Sequence, residues 1–269
     1  MNKITLIPVG GLANRLRSID SGIRLAKDSN SKLKIIWFKT WELGCRFDQL
    51  FNPINSEMIE LKEASFLDLV LFDRPRKKNL FIPYIFHKLL FDKCVNENIL
   101  NYVRNINFLT WAKGCNVCMI SCYEFYKNDN SDYFEIFKPI PIIHKKIDKI
   151  SQKFPSNIIG IHIRRTDNKI SINNSPTELF INKMKEEKDA SFYLASDSEQ
   201  EKQNIKNIFK DKIYTYNCSV ERNTQEGIRN AVIELFLLSK TKKIYGSYNS
   251  SFSEIAAKIG KIEFKELKE

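Results

Sequence analysis

The feature that most constrains the fold is a regular alternation of strand-like and helix-like segments in the C-terminal half. Short apolar runs alternate there with segments whose apolar residues recur every three or four positions. Strands are predicted at Ile158–Ile163, Ser191–Ala195, Lys212–Tyr216 and Lys243–Tyr245, and the helices that follow them at Pro176–Lys188, Glu199–Phe209, Gln225–Ser239 and Phe252–Ile259. Because consecutive strands joined by a helix run parallel, these four repeats predict a parallel sheet.

The N-terminal half begins in the same way. Predicted strands at Lys3–Val9 and Leu33–Phe38 flank a Gly10-Gly11 turn and an amphipathic helix over Leu12–Lys27. This order is the opening of a doubly wound α/β unit.

The rest of that half is less regular. The assignments there are strand-like pieces, aromatic or basic segments expected to form helices and loops, and one further strand. The strand-like pieces are Met58–Leu61 and Leu67–Phe72, the aromatic or basic segments are Arg74–Lys78 and Phe81–Phe91, and the strand is Asn116–Cys122.

A proline pair separates the two halves. Pro139 and Pro141 disfavour a continuous helix and indicate a linker, after which Ile142–Phe154 is predicted to be helical. The expected architecture is therefore two Rossmann-type doubly wound α/β domains, residues 1–140 and 141–269, which face a cleft.

Composition limits the class of partner. The chain has 269 residues and 43 Lys and Arg against 32 Asp and Glu, which gives a formal net charge of +11. Such a charge suits nucleotide phosphates, acidic lipid headgroups or nucleic acid, and it does not choose among them. We expect no signal peptide, because a strand-like run begins at Lys3, and no apolar run approaches the roughly 20 residues that span a bilayer. A reducing cytoplasm is the expected location.

The cysteines and histidines give little sign of a metal site. Cys115, Cys118 and Cys122 have the spacing of half a zinc site, but no matching pair of ligands follows nearby. We expect them to be structural, and we assign no role to His87 or His144.

The densest charge chemistry follows the strand Ile158–Ile163. His162, Arg164, Arg165 and Asp167 lie within six positions there. Ligands of open α/β sheets bind outside the carboxyl ends of strands, and two guanidiniums can hold a phosphate through paired hydrogen bonds. This pattern favours a transferase with a nucleotide diphosphate sugar donor. The alternative is an edge strand that runs into a solvated basic turn.

Two further loops lie between a strand and a helix, where backbone amides favour an anion. In the first, Gly11 allows close approach of a ligand, and Asn14 and Arg17 can bind phosphate or sugar hydroxyls. In the second, Ser250 and Ser251 open a helix and can form a phosphate nest. An ordinary strand-to-helix turn and an ordinary serine-capped helix explain these patterns equally well.

Two acidic positions complete the candidate site. Asp197 and Ser198 follow a strand, where they can bind sugar hydroxyls or cap the next helix. Glu234 lies in a strongly apolar helix, where a carboxylate is costly unless it is paired. The N1 and N2 hydrogens of guanine are one possible partner. The alternatives are a pair with Arg229 or Lys240, or simple exposure on a polar stripe with Asn230.

As a set, these motifs resemble the GDP-fucose-dependent fucosyltransferase superfamily, which includes α1,6-fucosyltransferases, bacterial α1,2 enzymes and protein O-fucosyltransferases. The resemblance is carried by His162–Asp167, Tyr193–Asp197, Glu234–Ser239, Ser250-Ser251 and Gly10–Asn14. It covers the N-terminal loop and most of residues 157–255. Thr166 matches the α1,6 branch, whereas the glycine loop is similar to the α1,2 branch.

The resemblance implies a GT-B-like fold and metal-independent, inverting transfer of L-fucose from GDP-fucose to a glycan hydroxyl, with no cofactor. It implies that Arg164 holds the β-phosphate and Arg165 supports the donor. His162 and Glu234 would contact guanosine, and Ser250 and Ser251 the diphosphate. By the same carry-over, Asp167 and Asp197 would orient the arginines or bind sugar hydroxyls.

Other functions remain open at this stage. One is transfer of a different GDP-sugar, and another is a non-catalytic basic protein that binds nucleotides or nucleic acid. No recognised nucleic-acid-binding motif is present, so nucleic acid is not expected as a partner. The basic surface is expected to contact an anionic membrane peripherally. Glu42 and Asp20 are guesses for the general base.

Overall fold

The structure is a computed structural model, and it describes residues 2–72, 89–95, 106–128, 132–218 and 221–269. The chain forms two compact units. Unit 1 comprises Met1–Lys138 and Arg222–Gln225, and unit 2 comprises Pro139–Glu221 and Glu226–Glu269. The first division therefore lies beside the proline pair, and a short segment of the C-terminal half belongs to the first unit.

Unit 1 is built on a parallel sheet with the strand order β3-β2-β1-β5-β4. Among the described residues, its strands are β1 (Lys3–Pro8), β2 (Lys32–Trp37), β3 (Ile59–Glu63), β4 (Lys93–Val95) and β5 (Val117–Ser121), and its helices are α1 (Leu12–Asp28), α2 (Phe66–Leu71) and α3 (Phe108–Ala112). The chain moves from β1 to one side of the sheet and then returns to the other side. The order thus reverses between β1 and β5, which is where open α/β sheets bind ligands.

The strand-like piece predicted at Leu67–Phe72 is wrong, because this segment is helix α2. Ser65 accepts a hydrogen bond from Asp68 N, and the Asp68 carboxylate accepts one from Ser65 N at 2.8 Å. Reciprocal capping of this kind starts a helix, and it outweighs the strand preference of the following residues. The segment Arg74–Lys78, His87 and most of Phe81–Phe91 lie outside the described residues.

Unit 2 is built on a second parallel sheet, with the strand order β10-β9-β6-β7-β8. Its strands are β6 (Ile158–Ile163), β7 (Ser191–Ser196), β8 (Ile213–Thr215), β9 (Lys243–Ser247) and β10 (Glu263–Leu267), and its helices are α4 (Pro141–Ser151), α5 (Lys169–Asn174), α6 (Thr177–Glu186), α7 (Glu199–Phe209), α8 (Gln225–Ser239) and α9 (Ser251–Gly260). The four predicted strands are present, and β10 and α5 are additional. The order reverses between β6 and β9.

Helices cover both faces of this second sheet. On β6, Ile161 and Ile163 pack with Phe180 of α6 and Ile205 of α7. The alternate residues face the other layer, where His162 stacks on Phe252 of α9 with ring centroids 5.0 Å apart. Two such parallel sheets with helices confirm the predicted α/β class. They also place the residues after β6 and β9 at the switch point of unit 2.

Candidate functional site

Two loops meet at the switch point of unit 2. The first follows β6 and carries Arg164 to Asp167, and the second follows β9 and leads into α9. The backbone N–H of Arg164 donates to Ser247 Oγ at 3.0 Å, and Asn168 Nδ2 donates to Asn249 O at 3.0 Å. These bonds join the two loops into one rim at the carboxyl edge of the sheet.

The Arg164 side chain is held by two carboxylates and retains donor capacity. Its Nε lies 3.1 Å from Asp197 Oδ2, and its Nη2 pairs with the exposed Asp167. Its Nη1 makes no hydrogen bond to the described residues. The side chain is 17% exposed, so a rigidly held cation reaches the surface of the rim with donors to spare. This is the geometry required to bind an anionic oxygen.

Asp197 fastens the β6 loop to the end of β7. Its carboxylate accepts hydrogen bonds from the backbone N–H groups of Arg165, at 2.7 Å, and Thr166, at 3.2 Å. Burial opposes ionisation of Asp197, but the Arg164 charge and the bonds from Thr166 and Arg165 outweigh it, and the pKa is lowered. Asp197 is therefore ionised, and its carboxylate orients the Arg164 guanidinium. The helix cap predicted at this place is Ser198, whose Oγ accepts from Glu201 N at 3.3 Å.

Arg165 is turned into the framework of unit 2. Nη1 donates to Arg164 O at 2.8 Å, and Nη2 donates to Ser175 O at 2.9 Å and to Thr177 Oγ1 at 3.1 Å. Nε lies 3.3 Å from the largely buried carboxylate of Glu201. Each guanidinium nitrogen thus has a protein partner. The resemblance instead implies that both arginines act on the sugar-nucleotide donor. A donor contact of Arg165 stays a prediction.

His162 is sealed beneath the rim. Burial and the nearby Arg164 charge lower its pKa to about 3, against a smaller raising effect of Asp197. The imidazole is therefore neutral at physiological pH, and its Nδ1 is buried without a hydrogen-bond partner among the described residues. The predicted contact with guanosine would be made by a neutral ring.

Ser250 and Ser251 lie at the start of α9, as the sequence predicts. Ser250 is the N-cap residue, but its side chain makes no capping hydrogen bond. Ser251 is the first helical residue and is partly exposed. The helix terminus is fixed against β9, because a Cβ on Gly246 would lie 2.3 Å from Ser253 Oγ. The partial positive charge of the helix end thus lies on the rim that carries Arg164.

Glu234 projects from α8 into buried surroundings. The alternative partners Arg229 and Lys240 are wrong, because the carboxylate pairs instead with Lys202 of α7. Burial raises the pKa of Glu234 to about 7, and the Lys202 charge reduces that rise.

The residues of the glycine loop lie in unit 1, at its own switch point. Gly10 has a φ of +85°, so this position, and not Gly11, requires glycine. Gly11 has open space around it, and it is the N-cap of α1. Asn14 is partly buried, and Arg17 Nε donates to Cys122 O at 3.0 Å beyond β5. The loop residues are thus gathered at the carboxyl ends of β1 and β5.

The two guesses for a general base differ in their surroundings. Asp20 is fully buried; it accepts from Tyr133 N at 2.6 Å and pairs with Arg24 at 2.6 Å. Asp20 thus presents no exposed oxygen to an acceptor hydroxyl, and its role as a base stays a prediction. Glu42 is 9% exposed and lies near the charge of Arg15.

Sequence reasoning missed several residues that hold the site. Arg15 is fully buried and donates to Gly10 O at 2.9 Å and Thr40 Oγ1 at 2.8 Å. In unit 2, the missed residues are Ser247, Thr177, Glu201 and Lys202. A signal existed for Lys202, which lies three positions before Ile205 on the apolar stripe of α7. A charge on such a stripe indicates a buried partner.

In the part of the chain that the structure describes, neither the cysteines nor the other polar clusters form a metal site. Among the residues described, no group of three or more His, Cys, Asp or Glu side chains could hold a metal ion. Cys118 and Cys122 are buried in the core of unit 1, and His144 pairs with Asp148 on α4.

No protein-family profile matches this chain, and no curated protein sequence matches it. Solved structures do. NodZ α-1,6-fucosyltransferase of Bradyrhizobium, soaked with GDP-fucose, matches with a TM-score of 0.69 at 16% identity, over 96% of this chain and 93% of its own. A point mutant of Arabidopsis thaliana FUT1 in complex with GDP matches at 0.63 and 14%, over 98% and 70%. The apo form of POFUT1 matches at 0.56 and 11%, over 99% and 97%. These likenesses confirm the GT-B-like fold class.

Proposed function

We propose that the protein is an inverting glycosyltransferase that moves L-fucose from GDP-fucose to a hydroxyl of a glycan acceptor. The observation that carries the proposal is Arg164, a cation held at the switch point of unit 2 with an unused donor. It is supported by the fold, which this chain shares with fucosyltransferases solved with GDP-fucose or GDP. Unit 2 binds the donor, and unit 1 takes the acceptor.

The chemistry follows from where charge develops. The acceptor oxygen attacks the anomeric carbon of fucose, the bond from that carbon to the β-phosphate oxygen breaks, and the electron pair leaves with GDP. Arg164 and the N-terminus of α9 bear positive charge at one rim and so stabilise the departing diphosphate. Asp197 and Asp167 hold the guanidinium in place. The hydroxyl proton passes to a base on the acceptor side.

The donor site is assigned to a guanine nucleotide because of Glu234. A buried carboxylate that accepts the N1 and N2 hydrogens of guanine would favour GDP over ADP and UDP. No metal is assigned to the diphosphate, since Asp167 and Asp197, the carboxylates beside Arg164, are already paired with it.

A nucleotide comparison tests this proposal against its rivals. At about 100 times its dissociation constant, a ligand stabilises a protein by about 2.7 kcal/mol. GDP and GDP-fucose are expected to raise Tm clearly, and ADP and UDP at equal concentration are not. Equal shifts from all nucleotides would remove the guanine assignment. Transfer from GDP-mannose but not GDP-fucose would favour the rival GDP-sugar. Steeply salt-dependent binding of nucleic acid would favour the basic binding protein.

We also propose that the protein contacts an anionic membrane surface peripherally in the cytoplasm. The net charge of +11 supports this contact, as do Phe66 and Leu67, which are 78% and 70% exposed in the first turn of α2. No described helix is both long and apolar enough to cross a bilayer.

Vesicle binding checks the membrane contact. Sedimentation with phosphatidylserine vesicles is expected to exceed that with phosphatidylcholine vesicles and to weaken as salt rises to about 0.15 M. Phe66→Ser with Leu67→Ser is expected to reduce it, whereas Ile142→Ser, at a similarly exposed apolar site on α4, is not. Binding that salt leaves unchanged would rule out electrostatic docking.

A further inference from the structure

A lysine and a glutamate are buried together between α7 and α8 of unit 2. Lys202 Nζ lies 3.4 Å from Glu234 Oε1, and the two side chains are 4% and 6% exposed. Removing two charges from water is expensive, and their attraction repays the cost only when further hydrogen bonds satisfy both groups. The partners of each group therefore indicate whether the pair is complete.

The lysine is complete. Its ammonium lies 3.0 Å from Glu199 Oε1 and 3.4 Å from Tyr216 O, in addition to Glu234 Oε1. An ammonium has three hydrogens, and Lys202 has three acceptors. It is thus held in one place by α7 and by the chain beyond β8.

The glutamate is incomplete. Its only hydrogen bond to the described residues is the one from Lys202 to Oε1, so Oε2 accepts none. A carboxylate can accept about four hydrogen bonds. Tyr193 on β7 feels the charge of Glu234, and its buried Oη likewise has no partner in the described part of the chain. Polar capacity is left over on the Glu234 side of the pair and not on the Lys202 side.

We propose that Lys202 is a positioning residue for nucleobase recognition: it holds Glu234 as a carboxylate that receives the N1–H and N2–H donors of guanine, one on each oxygen. The inference rests on the proposed GDP-sugar donor and adds to it the residue that makes the base reader work. Lys202 does not contact the base itself.

Charge around Glu234 explains why a lysine is needed. The groups that face it lie on α7, the loop before α7, β7 and the chain from β8 onward: Lys202, Glu199, Asp197, Tyr193, Tyr216 and Cys218. Lys202 is the one cation in this set. Burial raises the pKa of Glu234 to about 7, and the nearby anions Glu199 and Asp197 raise it as well, while Lys202 lowers it.

The sign of the pH effect follows. Only the ionised carboxylate accepts both guanine hydrogens, because a protonated carboxyl group presents its own hydrogen. Guanine binding therefore weakens as the pH falls through the pKa of Glu234. Without Lys202 that pKa is higher, so the weakening begins at a higher pH.

The experiment measures the GDP and ADP dissociation constants between about pH 6 and about pH 9, where a group with a pKa near 7 titrates. Their ratio is the readout, because both nucleotides carry the same titrating diphosphate. Lys202→Met is expected to lose about tenfold or more of the preference for GDP near neutral pH, since each unit of pKa is a factor of ten. As the pH rises, the GDP preference of Lys202→Met should approach that of the parent protein.

Two controls separate charge from structure. Lys206→Met removes an exposed lysine from the same helix and is expected to match the parent. Lys202→Arg keeps the charge and is expected to show the same pH profile of GDP preference as the parent. Thermal unfolding reports whether each variant folds. If Lys202→Met does not fold, Glu234→Gln provides the test, because the GDP preference should then lose its dependence on pH.

Each outcome decides. The inference is overturned if Lys202→Met weakens GDP binding and ADP binding by the same factor, or if it lowers the GDP preference by the same factor at every pH. It is also overturned if the GDP preference of Glu234→Gln still depends on pH. If the parent protein itself shows no preference for GDP over ADP, the proposed function fails first. If the parent prefers GDP and Lys202→Met has the same preference at every pH, only the role of Lys202 is overturned.

Discussion

Replacing Arg164 with alanine is expected to lower the rate of fucose transfer by about 100- to 1,000-fold, the usual effect of removing one preorganised group that stabilises transition-state charge. GDP binding should weaken by about 2–3 kcal/mol, the contribution of a charge-assisted contact. Folding stability should also fall, by about 1–3 kcal/mol, because Arg164 and Asp197 are only 17% and 11% exposed and Asp197 loses its cation. Asp197 keeps its bonds from the backbone of Arg165 and Thr166.

The measurement is the turnover of GDP-fucose together with a GDP titration of the folded variant. Arg46→Ala is the matched control, because Arg46 is an exposed arginine that pairs with an aspartate, Asp48, in unit 1. It should leave both quantities unchanged. If Arg164→Ala kept turnover within about threefold of the parent, far short of the expected loss, Arg164 would not be the group that stabilises the leaving diphosphate.

Arg165 is expected to give the opposite phenotype, in which stability falls and GDP binding does not. Arg165→Met removes hydrogen bonds to Ser175 O and Thr177 Oγ1 and leaves the Glu201 carboxylate without its cation. Breaking a buried ion pair from one side costs about 3–5 kcal/mol. At the lower figure, Tm should fall by about 6–12 °C for a domain of this size.

A double-mutant cycle isolates the cause. Glu201→Gln in the Arg165→Met background removes the unpaired charge, so the double variant should be more stable than the sum of the single changes predicts. Denaturant unfolding measures stability, and a GDP titration below the unfolding transition measures binding. An Arg165→Met protein that is as stable as the parent but does not bind GDP would place Arg165 on the donor and not in the framework.

The contrast between these arginines shows the limit of sequence reasoning. Arg164 and Arg165 are adjacent and chemically identical, so a sequence motif does not distinguish their roles. Their roles diverge because consecutive residues beyond a strand end point in different directions. Arg164 meets carboxylates at the rim, whereas Arg165 meets Ser175 and Thr177, which lie 10 and 12 positions further along the chain, and Glu201 on α7.

Glu234 illustrates the same limit in another form. Its apolar surroundings are visible in the sequence of α8, so the need for a partner could be predicted. The nearby candidates Arg229 and Lys240 were the natural choices, yet the partner is Lys202, 32 positions earlier in the chain. The separation of two residues along the chain does not show which helices pack side by side on a folded sheet.

The sequence by itself determined the main strands and helices of the C-terminal half. The repeat of apolar strand and amphipathic helix required a parallel sheet, and the polar motifs after β6 and β9 were bound to lie at its carboxyl edge. Periodicity and chain connection are local properties, so they can be read directly. Only the tertiary structure decided that β6 and β9 are neighbours, which guanidinium remains available to an anion, and which lysine neutralises the buried glutamate. Those outcomes depend on contacts between residues far apart in the chain, and packing selects such contacts only when the whole sheet assembles.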